Sequence, residues 1–412
     1  MKIAIIGGGI AGIAAAHKLH HSHQVTIFEV APMLGGHAHG VEVEPGVFAD
    51  TGVIIYNQGS YPEFIALLKE LGTYDSNFRM EMSISFNNIR FKRAMALGKK
   101  PFLLAGKLSQ LIHPRNLRIF FELWKFYKNG KTYLKEVQGS GIRLETFMNG
   151  KKYSPFFLEE FLFPLAMAIW SLPRGYFRNI EAELFLKFLD HHRCLGGDLT
   201  NFRWYTFNGS TRSYIEKFAA TFQGEICLNT IVTSVENSDK GAVLRLKGEE
   251  APRVFDHVII ATHADTALKL LASPTVEEKK ALGAWTYHST KVYLHQDESF
   301  APPLNLRSSW NIFYGDRPSD EWITYDINRI QKLKSSRPYF VTLSNEGRPQ
   351  HILKEIEYSH PVFDHQTSLK FEALEALNQV GNRSFCGSYF GYGFHEDAIR
   401  SANKVASKLM KK

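Results

Sequence analysis

The chain has 412 residues, more than one hydrophobic core usually supports, so two lobes built from non-contiguous segments are expected. With 44% hydrophobic and 22% charged residues, no low-complexity tract and no internal repeat, the composition is that of an ordinary globular protein, and a net charge of +8 permits attraction to anionic lipid or nucleic acid without establishing either. Cys194, Cys227 and Cys386 stand far apart with no C-x-x-C, which argues for a reducing compartment and against a disulfide framework or a zinc site.

Residues 2–6 (KIAII) have the pattern of a short buried strand. Gly7, Gly9 and Gly12 then give G-x-G-x-x-G, a helix begins near Ile10 and Ala11, and a second strand, QVTIFE, ends in Glu29. A secretory signal is excluded, because the apolar run is broken by Gly7 to Gly9 and passes into HKLHHSHQ without a small-residue cleavage site. A bare glycine turn is equally compatible with the motif taken alone. The flanking strand, helix, strand and acid favour a dinucleotide cradle. In it Gly7 makes the turn, Gly9 admits a pyrophosphate, and Gly12 lets helix and sheet pack closely. The helix N-terminus holds phosphate, and Glu29 accepts from a ribose diol. His17, His20 and His21 have metal-ligand spacing, but their place beside Lys18 at a helix end reads as a solvated tip, and no metal is expected.

After Glu29 come Gly35 and Gly36. This spacing resembles the flavin-containing amine oxidase superfamily, in which Gly-Gly-Arg wraps the FAD pyrophosphate. Here His37 stands in the arginine position, which implies a phosphate contact that is weaker or depends on protonation. The nearest approach to a second nucleotide loop, GSGIRL (139–144), lacks a preceding strand. The expected cofactor is therefore FAD alone, reduced by substrate rather than by a nicotinamide. Along the chain, ADTGVIIYN (49–57) resembles the segment beneath the isoalloxazine, with Gly52 and Val53 close to the ring. NGSTRSYIEKF (208–218) resembles the return into the flavin lobe, and EICLNTIVTSVE (225–236) the stretch whose backbone near Val232 meets adenine. FDHVIIATHADTALKLL (255–271) is a buried parallel strand with Ala261 at its tip. FCGSYFGYGFHEDAIRSANKVASKL (385–409) resembles the C-terminal flavin motif, implying contacts from Gly387, Phe394, His395, Glu396 and Ala398. IATHAD, PYFVTL and FCGSYFGYGFHED are also similar to FAD proteins that accompany cyclopropane-fatty-acid synthases. That resemblance implies lipid acyl chemistry and a methyltransferase of that type as a partner.

The fold class expected is α/β: a Rossmann-like FAD-binding domain (1–60, 205–285 and 370–412) interleaved with an α+β substrate domain (61–204 and 286–369). The substrate domain reads as mainly helical from about 60 to 204 and as antiparallel strands from about 288 to 358. FLFPLAMAIW (161–170) is too short to span a bilayer and contains Pro164. The stretch 97–137 carries Lys99, Lys100, Lys107, Arg115, Arg118, Lys125, Lys128, Lys131 and Lys135 among apolar residues. Leu117, Phe120, Phe121, Trp124 and Tyr127 are predicted to share one helical face, with Arg118, Glu122 and Lys125 on another. That face suits either a core-facing helix or an element lying on anionic phospholipid. The location expected is cytosolic, with the inner membrane face left open; no nucleic-acid module is recognised.

The resemblance places Phe394 as an aromatic wall of the substrate face and Lys291 as the lysine that holds a water against the flavin. Tyr56 is a third catalytic candidate, and Asn57, Trp170 and His395 are pocket candidates. The function expected is FAD-dependent dehydrogenation of an unsaturated, methyl-branched or cyclopropane fatty acyl chain of a phospholipid. Two alternatives stand beside it: oxidation of another apolar substrate (an amine, a polyene or a porphyrinogen), and a non-catalytic flavoprotein that serves a lipid methyltransferase.

Overall fold

The computed structural model describes all residues except 81, 90–92, 98–113, 197–202, 240, 379–380 and 412, and only the backbone of 93–97 and 318. Lys99, Lys100 and Lys107 therefore lie outside the described residues. The opening strand, Lys2–Ile6, is buried along all but its first residue, the state of a strand covered on both faces. It lies at the centre of a five-stranded parallel sheet. The order is Glu225–Cys227, Gln24–Phe28, Lys2–Ile6, His257–Ile260 and Arg383–Phe385. Three distant parts of the chain thus build one sheet. The first helix (Ile10–Leu19) and the C-terminal helix (His395–Leu409) pack side by side. The buried small residues Ala11, Ala14 and Ala15 of the one, and Ala398, Ala402 and Ala406 of the other, belong to the same core cluster.

The first turn is built on close approach. Gly7 has φ +105°, and a Cβ there would stand 2.9 Å from the carbonyl oxygen of Ala261; a Cβ on Gly12 would collide with the carbonyl oxygen of Gly7. Strand and helix can meet at this distance only without side chains.

A second, seven-stranded sheet has the order Ile352–Pro361, Tyr287–His295, Phe340–Leu343, Trp322–Asp326, Trp310–Tyr314, Ile84–Asn88 and Arg93–Leu97. Its pairings are antiparallel except that of Trp310–Tyr314 with Ile84–Asn88. The strands expected between 288 and 358 are all present. The helical expectation for 60–204 needs correction at Arg79–Met80, Ile84–Asn88 and Arg93–Leu97, which are strands. There Ser85 donates to Asn311 Oδ1 and Asn87 donates to the Ile312 carbonyl, so polar side chains buried on the strand are satisfied across the sheet.

The described helices of that segment include Pro114–Val137, Phe163–Trp170 and Ala182–His191. FLFPLAMAIW becomes an interior helix in which Pro164 occupies the first turn, where a missing N–H costs nothing. Among the described residues no helix is long and apolar enough to cross a membrane. In Pro114–Val137 the core-facing stripe is Ile119, Phe126, Gly130, Tyr133 and Val137. The predicted apolar face is instead turned outward, with Leu117 42%, Phe121 64% and Trp124 57% exposed. Glu122, placed on the solvated side by sequence, accepts from the Ser154 N–H and hydroxyl.

We predict that Gly12→Ala lowers stability by about 1–3 kcal/mol, because the added methyl must push backbone aside. Denaturant titration of the variant checks this; an unchanged midpoint would show that the turn has slack.

Candidate active site

The glycine turn forms one wall of an open cradle. Gly7 N–H donates to the Phe28 carbonyl at 2.8 Å, which fixes the turn over the second strand. The Glu29 carboxylate, 9% exposed, accepts from the Gly8 N–H at 2.6 Å and the Ala31 N–H at 2.8 Å. One acid therefore ties the turn to the strand tip, and its remaining lone pairs are available to hydroxyl groups. No side chain caps the helix that starts at Ile10, so the first-turn N–H groups of Ile10, Ala11 and Gly12 have no side-chain acceptor. A Cβ placed on Gly9 would meet nothing within 4 Å. The second glycine turn lies on the first: Gly35 N–H donates to Gly8 at 2.8 Å, and a Cβ on Gly36 would be 3.4 Å from Gly9 Cα. Asn229 and Thr230 N–H donate to the Ala31 and Glu29 carbonyls, which brings Val232 and its strand to the same rim. Ala261 N–H donates to Ile6. Uncapped amides, a bare glycine backbone and a tethered acid are the donor set that a dinucleotide requires.

The segment 49–57 folds back on this rim. Thr51 and Val53 N–H donate to the His39 and His37 carbonyls, and a Cβ on Gly52 would collide with the His37 carbonyl. Gly387, expected at the ribityl phosphate, has its N–H donated to Ser401 Oγ at 2.9 Å. At the start of the C-terminal helix two side chains are committed elsewhere. Glu396 accepts from Glu63 and Phe64 N–H, capping helix Pro62–Glu70, and burial pushes its carboxyl up to about 7. His395 Nε2 lies 3.3 Å from the Tyr214 hydroxyl, and burial pushes its imidazole down to about 3. That leaves the backbone N–H groups of His395 and Glu396 for a ligand, since the Ala398 N–H is donated to the Phe394 carbonyl. His17, His20 and His21 lie together, with ring centroids 5.8 Å and 3.9 Å apart, but have different partners: His17 pairs with Glu70, and His20 accepts from Gln223 N–H. Among the described residues no group of three or more His, Cys, Asp or Glu can hold a metal ion.

Phe394 stands in an aromatic wall. Its ring stacks on Phe188 at 5.1 Å and lies 6.2 Å from Trp170 and 6.1 Å from His192. Trp170 donates its indole N–H to the Tyr392 carbonyl at 3.1 Å. The sequence reading had Phe394 and Trp170; it missed Phe188, His192 and Tyr392, which only folding brings there.

Two catalytic candidates need correction. Tyr56, 2% exposed, is packed among Phe64, Tyr205 and Phe207, so it is a core residue. Asn57 beside it closes a turn, accepting from Gly59 and Ser60 N–H, while its Nδ2 has no partner. Lys291 is exposed on strand Tyr287–His295 opposite Glu357. Its neighbour Thr290 is paired with Tyr358, and His288 with His360. Directly paired residues share a sheet face and successive residues alternate, so Lys291 points away from the face carrying Tyr358 and His360. That inner face meets the glycine lobe: Tyr358 stacks on His37 at 4.6 Å and donates to or accepts from Thr51 at 2.9 Å. His360 lies 5.4 Å and His263 5.8 Å from His37. His263, Tyr358 and His360 were not found from sequence; the alternation of KEIEYSH would have given their side only once its partner strand was known.

We predict that Glu29→Ala weakens dinucleotide retention by about tenfold to a hundredfold, because it releases two charge-assisted hydrogen bonds and the ribose acceptor. Dissociation from purified protein, followed by fluorescence, measures it; wild-type retention would rule out the cradle.

The structure resembles those of other proteins over its whole length. The CLA-producing fatty acid isomerase from P. acnes superposes with a TM-score of 0.71 at 16% identity over 98% of each chain. Cyclohexylamine oxidase from Brevibacterium oxydans does so with 0.67 at 13% identity, over 100% of this chain and 98% of that one. At such identities the likeness concerns the fold. Protoporphyrinogen oxidase from Schizosaccharomyces pombe is 28% identical over 158 residues, 35% of this chain, and the match spans 32% of that enzyme's length. The family model for flavin containing amine oxidoreductases matches residues 10–331, and with the uncapped glycine cradle beside it this chain belongs to that family, as an FAD-dependent oxidoreductase.

Proposed function

We propose that the enzyme oxidises an acyl chain of a phospholipid, taking hydrogen from carbon next to a double bond, a cyclopropane or a methyl branch. The observation that carries this reading is the aromatic wall of Phe394, Phe188 and Trp170; Asp397, Glu183 and Glu181, on the same helices or next to them, are committed to other partners. Asp397 holds Phe394 N–H and Arg400, Glu183 holds Gly139 N–H and Lys187, and Glu181 holds Ser368. A long apolar chain is what such a wall accepts. The structural likeness to a fatty acid isomerase supports the same reading.

In this reading Gly7, Gly9 and Gly12, with the N–H groups of Ile10 and Ala11, hold the FAD diphosphate, and Glu29 holds the ribose. Gly35, Gly36 and His37 close over it, while Gly52, Val53, Val232, Ala261 and the first turn of the C-terminal helix complete the site. Bound FAD supplies a two-electron acceptor for hydride. The wall of Phe394, Phe188 and Trp170 aligns the chain and keeps water out. An isolated methylene has nothing to share the positive charge left by hydride loss, whereas a neighbouring π or strained bond does. A cyclopropane or methyl-branched substrate would be made by one-carbon transfer to an unsaturated acyl chain, a cyclopropane-fatty-acid-synthase-type reaction, whereas an unsaturated substrate needs no such step. Lys291 is left without a role, because its face is turned outward.

The outward face of Pro114–Val137 suits a phospholipid surface. Leu117, Phe121 and Trp124 are exposed, and Lys128 Nζ lies 5.1 Å from the Trp124 ring. Apolar rings flanked by lysine partition into an anionic headgroup layer.

Anaerobic titration separates the substrates. Phospholipid bearing unsaturated or cyclopropane chains should bleach the bound flavin and aliphatic amines should not; bleaching by amines or porphyrinogen alone defeats the acyl reading. Phe394→Ala and Phe188→Ala should each raise KM for the lipid about tenfold or more, since burial of one such ring contributes about 1.5–3 kcal/mol. Phe121→Glu with Trp124→Glu should abolish cosedimentation with phosphatidylglycerol vesicles while leaving FAD bound; undiminished binding would place the lipid contact elsewhere.

A further inference from the structure

Three imidazoles from three separate elements converge beside the glycine cradle. His37 follows Gly36, which rests on Gly9 at the start of the first helix. His263 lies two residues past Ala261, whose carbonyl packs on Gly7 from the other side. His360 comes from the edge strand Ile352–Pro361 of the larger sheet. Ring centroids are 5.4 Å apart for His37 and His360, and 5.8 Å for His37 and His263. His37 Nε2 and His360 Nδ1 are buried without a hydrogen-bond partner. Buried ring nitrogens without partners are costly, and His37 follows the Gly36 turn that rests on Gly9, at the head of a helix whose uncapped amides attract anions.

The surroundings of the rings supply little counter-charge, that of Asp265 near His263 being outweighed by burial. His37 faces His360, His263 and His395, and stacks on Tyr358. His360 faces His263 and His288. His263 stacks on Tyr287 and has Asp265 nearby, which is paired with Lys269. Asp50, beyond Tyr358, is held by Thr211 and Gln331. Burial, followed by the mutual repulsion of the rings, pushes His360 down to about 4 and His37 well below the usual histidine range. Burial also pushes His263 down. With no anion present the three are neutral near neutral pH. An anion among them opposes both causes and draws protons onto the rings.

We propose that His37, His263 and His360 form the anion site for the diphosphate of FAD, and that cofactor binding takes up protons there. The sign follows from linkage. The free-state values lie below those of the bound state, so affinity rises as pH falls through the bound-state values. It stops rising once the free protein is protonated too. The proposal rests on the cofactor assignment and not on the identity of the substrate.

The experiment measures release of FAD from the purified holoprotein, and its displacement by ADP-ribose, from about pH 5 to about pH 8. Both ligands keep the charge of the diphosphate constant across that range, so any slope belongs to the protein. Affinity for each is expected to fall by up to about tenfold per pH unit for every proton taken up, while competition by adenosine, which lacks phosphate, stays flat. His37→Gln and His360→Gln keep volume and a donor but cannot charge, and each should flatten the profile. His37→Arg should give tight binding with little pH dependence. Adenosine competition and near-UV circular dichroism report folding of each variant, and the wild-type profile decides alone if a variant does not fold. A flat wild-type profile for ADP-ribose overturns the proposal, as does a slope that survives in both glutamine variants.

Discussion

Backbone-to-backbone contact at the first turn is the constraint on which the molecule depends. The carbonyl of Gly7 occupies the space where Gly12 would carry a side chain, and Ala261 closes on Gly7 from the adjacent strand. Because these surfaces touch directly, the carboxyl ends of three parallel strands and the head of one helix lie within a few residues' reach. The Glu29 carboxylate then joins the turn to the second strand by two short hydrogen bonds. Everything assigned to cofactor binding is arranged around that rim, the usual position for ligands in an open parallel sheet.

The aromatic cluster around Phe394 is organised differently. It is assembled from the end of one helix (Trp170), the middle of another (Phe188) and a loop (Phe394), with an indole N–H bonded to the Tyr392 carbonyl holding two of the pieces together. Large rings interlocked in this way resist rearrangement, because each ring's position is set by its neighbours.

Much of this was legible from residues alone. The strand–turn–helix at the N-terminus, Glu29, the Gly35–Gly36 pair and the strands beyond 288 each carry local signals that tertiary structure had no reason to override. What failed did so for identifiable reasons. Lys291 was placed by resemblance, but a face is decided by parity, and one residue separates inside from outside. Tyr56 carries no mark that distinguishes a core ring from a pocket ring. Helix Pro114–Val137 bears two apolar stripes, and periodicity cannot say which of them meets the core. The histidines at 263 and 360 are nearly a hundred residues apart and become neighbours only through the pairing of sheet and loop.

The interlaced order of the parallel sheet has a consequence for how the protein is made. Strand His257–Ile260 lies between the opening strand and Arg383–Phe385, and the helix that covers the first one is His395–Leu409. Strand Lys2–Ile6 can pair with Gln24–Phe28 over a short loop, but its other neighbour and the helix packed against Ile10–Leu19 come from far along the chain, and closing such distant contacts is slow. The whole cradle therefore exists only once its distant parts have met, and until then the apolar strands of the sheet lack their cover.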